Sequence, residues 1–483
     1  MRWFNENIKL IFEHFFTSRV FAYLSIIISI AILYHSSFEC HFMTEDFFHI
    51  NKARFNFSFY NSFVTEYFNT QFYRPIPNSL FFFTSYALFE LNPIGYRIIN
   101  IILFILNSFL VYEITSILTK KKDLAFIASI VYLSRYLHLK NLYWIIAGFQ
   151  GNGLAFWIFC TILLYLKYIN SKNNLFYISS LICSIFALLT KEGSVVLPAL
   201  ILLIEVYTQT SKRPFNFKNL LLRAFPFFLL TSIFYLPRIY FLRALILNSP
   251  YEMQFSLNVF LKNIAYYTFY SFNNYLEIFL LGTLSLIVFV RSENKKYAFF
   301  LTAWFFIGLM PYLFIAKHPE TYYLNISVLG FSIILSTGIK YLYEKFCSIK
   351  YLLIIVLLSV CILSARINIH TSEFVKGFYA YQKLIKNLSS DFKKNFPSFQ
   401  DDSLIYIKNP PSVPIRTLGW GGTISSLYIN KVTVYFEGFS KKFPDKYARI
   451  YFFKYDKNSN TLKFISDLDD KDLEKLKALG YIK

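Results

Sequence analysis

The sequence predicts an α-helical polytopic membrane protein that carries a small α/β domain at its C-terminal end. Three observations predict it. Of 483 residues, 55% are hydrophobic and only 16% charged, more apolar surface than a water-soluble domain can bury. Apolar residues gather into windows of ~19 residues, the length that crosses a bilayer. After residue 366 the pattern shifts to short runs bounded by turn signals. The formal net charge of +21 is accounted for by Lys and Arg on cytoplasmic loops facing anionic lipid, so the expected partner is the bilayer and no nucleic acid.

Taken in order, spans are expected near 20–34, 97–118, 123–138, 143–168, 174–190, 193–208, 219–241, 274–290, 297–316, 322–340 and 350–366, about eleven in all. The first apolar stretch lacks a small-residue cleavage site and reads as a retained anchor. Basic residues set the orientation. Arg19, Lys120 to Lys122, Lys167, Lys172, Lys218, Lys295, Lys296, Lys340, Lys345 and Lys350 fall on alternate loops, which places the N-terminus in the cytoplasm and the C-terminus outside a plasma or inner membrane. Residues 1–366 form the expected membrane domain, with 35–96 as its first outside loop, and 367–483 the outside α/β domain. Within that tail a helical pattern at 378–396 precedes strand-like runs at 403–407 and 431–436. A hairpin follows over 449–455 and 461–465, turning at 456–460. Five cysteines without a C-x-x-C spacing predict no disulfide framework.

Ionisable groups at the outside ends of spans carry the functional reading, because charge near membrane depth is costly. Glu45, Asp46 and His49 follow the first span; carboxylates and an imidazole there suit a general base or a divalent-cation site. Arg74 has the fork that matches phosphate oxygens. Lys191 and Glu192 sit in a tight turn between two apolar runs, where they either hold substrate or cap a helical hairpin. His138 with Lys140, and His318 with Glu320 and Tyr322, are expected on the same side. The chain has no P-loop and no G-x-G-x-x-G, so a site outside would draw on a lipid-linked donor rather than a cytoplasmic nucleotide sugar.

At these residues the chain resembles the GT-C superfamily of polyprenyl-phosphate-sugar-dependent glycosyltransferases, in particular the family 39 mannosyltransferase type and the transmembrane O-mannosyltransferases. Glu45-Asp46 matches the acidic motif of their first outside loop, and Tyr73-Arg74-Pro75-Ile76 the following basic-Pro element. His138 to Ile145 echoes a His-x-Glu-x-x-x-Trp-Ile stretch, Thr190-Lys191-Glu192 with Pro198 a Ser-Lys-Glu…Pro hairpin, and Thr321-Tyr322-Tyr323 an Arg-Tyr-x-Tyr element. Lys140 stands where that pattern has Glu, and Thr321 where it has Arg. The resemblance covers roughly the first 340 residues; no repeats of the TPR kind follow. It implies a GT-C fold and transfer, with inversion, from a polyprenyl-phosphate sugar to a glycan, lipid or protein. Asp46, with Glu45, would act as base or metal ligand. Arg74 and Lys191 would hold the lipid phosphate, with Glu192, His138, His318 and Tyr322 around the substrate. A divalent cation, Mg or Mn, on Asp46 and His49 is the only cofactor expected. An O-antigen-type polymerase or ligase, or a transporter of lipid-linked glycans, is the alternative.

Overall fold

The computed structural model describes residues 18–55, 57–70, 72–209, 217–246, 251–272, 277, 295–345, 350–408, 424–425, 427–428, 432–436, 449–456 and 461–465. The chain divides into two compact units. One holds 1–39, 59–77 and 94–375, the other 40–58, 78–93 and 376–483.

The first unit is helical. Its helices Arg19–Tyr34, Pro93–Thr119, Lys122–Leu133, Ile145–Ser171, Asn174–Leu188, Leu197–Gln209, Phe217–Ile246, Lys295–Leu309, Ser327–Lys345 and Lys350–Thr371 lie where spans are expected. The span expected at 274–290 falls outside the described residues, Glu277 apart. The helix Arg19–Tyr34 shows why this unit belongs in a bilayer. Ala22, Ile26, Ile30 and Leu33 are buried, while Leu24, Ile28 and Ile32 on its other face are exposed by 54%, 57% and 52%. A helix in water turns a polar face outward; this one is apolar on both faces. Among the described residues four helices are long and apolar enough to cross a membrane, or five if the bent pair at 355–382 counts as one. That is fewer than the eleven expected spans. Helices such as Lys122–Leu133 and Asn174–Leu188, with 12 and 15 residues, extend about 18–23 Å, short of a ~30 Å hydrocarbon core.

Amide hydrogen bonds join Pro93–Thr119 to the short helix His138–Tyr143 and to Ile145–Ser171. Asn100 donates to the Asn141 carbonyl at 2.7 Å, Asn152 to Asn100 at 2.9 Å and Asn107 to the Asn152 carbonyl at 2.9 Å. All are buried. Gly148 makes the approach feasible: a Cβ there would lie 1.8 Å from Asn100 Nδ2 and 2.0 Å from the Asn141 carbonyl oxygen. Small residues and buried amides are what hold helices together where lipid removes the hydrophobic drive.

The second unit contains the helix Thr44–Phe55, the short helix Phe82–Phe89 and the tail. The tail has strands β1 (Ser403–Lys408), β2 (Val432–Phe436), β3 (Arg449–Asp456) and β4 (Thr461–Phe464) in the order β2-β1-β3-β4. Strands β2 and β3 run parallel to β1, with Ser403 opposite Val432 and Arg449, while β3 and β4 form the antiparallel hairpin. Ile405, Ile407, Val432, Phe436 and Phe453 pack with Phe392 and Phe399 into one core. The helix feeding it is Glu373–Asn395. The strands follow the sequence reading closely because each is a short β-branched or aromatic run between turn residues. What the sequence did not signal is that 40–58 and 78–93 belong to the same unit as the tail. Within this unit Gln382 accepts from the His41 amide at 2.5 Å and donates to the His41 carbonyl at 2.9 Å.

Candidate functional site

The helix Asn174–Leu188 stops at Leu189, and Lys191 enters an extended conformation (φ −164°) before the tight turn Glu192–Val196 leads into Leu197–Gln209. Gly193 lets this turn fit. A Cβ at that position would lie 2.3 Å from the Tyr312 hydroxyl and 2.9 Å from Leu154 Cδ2. Ser194 fixes the turn by donating to the Lys191 carbonyl at 2.9 Å. The side chains of Lys191 and Glu192 then diverge. Lys191 is buried, its ammonium 4.3 Å from the centre of the Tyr322 ring and 5.6 Å from that of Tyr323. Such stacking keeps a charge in a poorly hydrated place.

Glu192 faces Arg74. The Nε of Arg74 donates to both carboxylate oxygens at 3.0 Å, and Nη2 donates to Oε2 at 2.7 Å. Nη1 donates instead to Gln150 Oε1 at 2.6 Å, and the guanidinium lies 4.9 Å from the Phe72 ring centre. Glu192 is thus ion-paired with Arg74, 118 residues away in sequence. Burial alone would raise the Glu192 carboxyl, but the Arg74 charge and its hydrogen bonds outweigh that and hold it below the ordinary value of 4.5. Burial alone would lower the Arg74 guanidinium; Glu192 outweighs this too and leaves it a firmer cation than usual.

The segment from His318 to Tyr323 lies beside these groups. Tyr323 stacks on Tyr312 with ring centres 3.9 Å apart. Glu320 is ion-paired with Lys140, and its other oxygen is 3.7 Å from His318 Nε2. Burial lowers the His318 imidazole, Glu320 opposes this, and Lys140 and Lys191 add to the lowering; the net direction is down. His318 is therefore neutral near pH 7. So the structure brings Arg74, Glu192, Lys191, Tyr322 and His318 into one neighbourhood of the first unit. It places His138 elsewhere, in the core. There the ring packs between Phe104 and Tyr132 at 4.6 and 4.7 Å and Nε2 contacts the Tyr132 carbonyl at 2.9 Å.

In the second unit, Glu45 and Asp46 open the helix Thr44–Phe55. Glu45 is exposed and Asp46 buried. The Asp46 carboxylate accepts from the Met43 amide at 2.8 Å, and the Asp46 amide donates to the Met43 carbonyl at 2.6 Å. His49, one turn on, is buried with its ring 5.1 Å from that of Phe82. Asp46 and His49 supply at most two ligands, and no group of three or more His, Cys, Asp or Glu able to hold a metal occurs among the described residues. A cation of the Mg or Mn kind held there would take its remaining ligands from water and substrate phosphate.

Several buried ionisable residues escaped the sequence reading. Arg135 and Glu277 form a fully buried ion pair at 2.7 Å. Arg238 donates to the carbonyls of Tyr67 at 2.6 Å and Thr70 at 3.2 Å. Glu205 accepts from the Tyr165 hydroxyl at 2.7 Å. Glu277, Arg238 and Glu205 each sit inside an expected span, and that position was the available signal. Gln150, the neutral partner of Arg74, carried none.

No family model and no curated protein matches the sequence. Among solved structures, the chain is similar to the apo oligosaccharyltransferase of Archaeoglobus fulgidus, with a TM-score of 0.52 at 10% identity, over 85% of this chain and 64% of that one. The same enzyme in complex with Zn and sulfate gives 0.47 at 14% identity, over 86% and 61%. ArnT from Cupriavidus metallidurans bound to undecaprenyl phosphate gives 0.44 at 12%, over 84% and 76%. The chain spans less than two thirds of the oligosaccharyltransferase's length. The fold is that of the Archaeoglobus fulgidus oligosaccharyltransferase.

Proposed function

We propose that the protein is a membrane glycosyltransferase that moves a sugar from a polyprenyl-phosphate donor to an acceptor outside the cytoplasm, with inversion at the anomeric carbon. The observation that carries this reading is the pairing of Arg74 with Glu192 next to the buried, ring-stacked Lys191, in a chain with the oligosaccharyltransferase's fold. Glu192 orients one edge of the guanidinium. Nη1 rests on Gln150, a neutral amide that a phosphate oxygen would replace at little electrostatic cost. With Lys191 alongside, the cluster has one net positive charge to offer a monoanionic lipid phosphate.

In the proposed reaction the Asp46 carboxylate takes the proton of an acceptor hydroxyl, with Glu45 at its side in sequence. The hydroxyl oxygen forms a bond to the anomeric carbon, and the bond from that carbon to the phosphate oxygen breaks. The electron pair leaves with polyprenyl phosphate. Charge grows on the phosphate oxygens as that bond breaks, and fixed cations are worth most there.

The test is an assay of purified protein in lipid with a panel of polyprenyl-phosphate sugars, following release of free polyprenyl phosphate. Turnover with at least one donor is expected. Arg74→Lys is expected to lower it by about 10²-fold, because an ammonium cannot reproduce the planar fork that grips both Glu192 oxygens and leaves Nη1 for the phosphate. Absence of turnover with every donor, together with no binding of polyprenyl phosphate, would refute the reading.

A further inference from the structure

A cavity of about 140 Å³ opens between the helix Leu257–Tyr270, the short helix His138–Tyr143 and the chain at Glu320. Cavities of about 150 Å³ hold one six-membered ring. The aromatic lining is continuous. Tyr266 and Tyr270 have ring centres 4.5 Å apart, Tyr136 and Tyr270 5.9 Å, and Phe374 closes another side. Charged groups complete it: Glu320, ion-paired to Lys140, whose ammonium lies 5.5 Å from the Phe374 ring centre. An apolar ring would leave the ion pair without solvent or partner. An anion would meet Glu320 and a cation would meet Lys140. A neutral ring with C–H faces and a rim of hydroxyls satisfies both kinds of wall, stacking on the phenols and sharing its hydroxyls with carboxylate and ammonium.

We propose that this cavity is a subsite for a single neutral pyranose ring, stacked on Tyr270 and hydrogen-bonded to Glu320 and Lys140. The proposal rests on the glycosyltransferase reading and adds to it a place for sugar. The two sites share one short segment: Glu320 and Thr321 line the cavity, while the next residues, Tyr322 and Tyr323, hold Lys191. Lys140 and Thr321, the positions at which the chain departs from the pattern it resembles, both line the cavity. Its chemistry is therefore this chain's own. The ring belongs either to the donor's sugar or to the acceptor.

The experiment is saturation-transfer NMR on the full chain in lipid nanodiscs. Its probes are the methyl pyranosides of glucose, galactose, mannose and N-acetylglucosamine, with sorbitol and cyclohexanol as open-chain and apolar-ring controls. At least one pyranoside is expected to receive saturation, with affinity about tenfold weaker in Tyr270→Ala and Glu320→Gln and within about threefold of wild type in Tyr270→Phe. Should Glu320→Gln fail to fold, the two Tyr270 variants decide the matter. Displacement of the pyranoside by a polyprenyl-phosphate sugar assigns the cavity to the donor, and simultaneous occupancy assigns it to the acceptor. No transfer to any pyranoside, equal transfer to cyclohexanol, or an undiminished signal in Tyr270→Ala overturns the subsite. Binding of polyprenyl phosphate, read by phosphorus NMR on the same samples, reports separately on the glycosyltransferase reading.

Discussion

Asp46 is asked to do two things, and a pair of substitutions separates them. Its carboxylate tethers the Met43 amide at the start of Thr44–Phe55, the task of a helix-capping group. Asn keeps an oxygen for that bond and loses the basicity. Asp46→Asn is therefore expected to melt close to wild type while transfer falls by about 10²-fold or more. Asp46→Ala should lose transfer and about 1 kcal/mol of stability. Turnover near wild type in Asp46→Asn would remove this residue from the reaction. Glu192 gives a second test, read in pH. Its folded carboxyl lies below 4.5. The stability it contributes is full above that value and is lost as pH falls through the depressed one. The gap in melting temperature between wild type and Glu192→Gln should thus be widest near pH 7 and close on acidification below about 4.5. A gap that is constant with pH would mean that the ion pair with Arg74 does not hold in solution.

Among elements, the turn Glu192–Val196 is the most tightly specified. Gly193→Ala must displace Tyr312, whose ring is stacked at 3.9 Å on Tyr323, and it should cost about 1–3 kcal/mol by overpacking. A thermal melt measures it, and an unchanged melting temperature would show that the turn relaxes freely. The elements themselves were largely legible. Apolar windows marked the helices, and short aromatic runs marked β1 to β4, because periodicity and burial are local properties of sequence. Partnerships were not. Lys191 and Glu192 are adjacent letters, yet Glu192 reaches Arg74 across 118 positions. Glu45 and Asp46 look equivalent as letters, and only the direction in which the helix winds makes one exposed and the other buried. His138, grouped with the outside histidines by its place at a span end, is carried inward because the helix His138–Tyr143 is buried almost throughout.

At the scale of the whole molecule, the alternation of Lys and Arg makes a claim about sidedness. Single cysteines at Ser58 and Asp401, in a background lacking the native cysteines, are expected to react with an impermeant thiol reagent on intact cells. Labelling only after permeabilisation would reverse the topology and take the outside site with it. The second unit has a further consequence, in time rather than space. His41 exchanges a pair of hydrogen bonds with Gln382, 341 residues later. At the ribosome's pace of about 5–20 residues per second, His41 waits roughly 20–70 s for that partner to be made. Until then 40–58 and 78–93 cannot complete their fold, however quickly the helices between them insert. Residues 376–483 therefore decide when 40–58 and 78–93 become native.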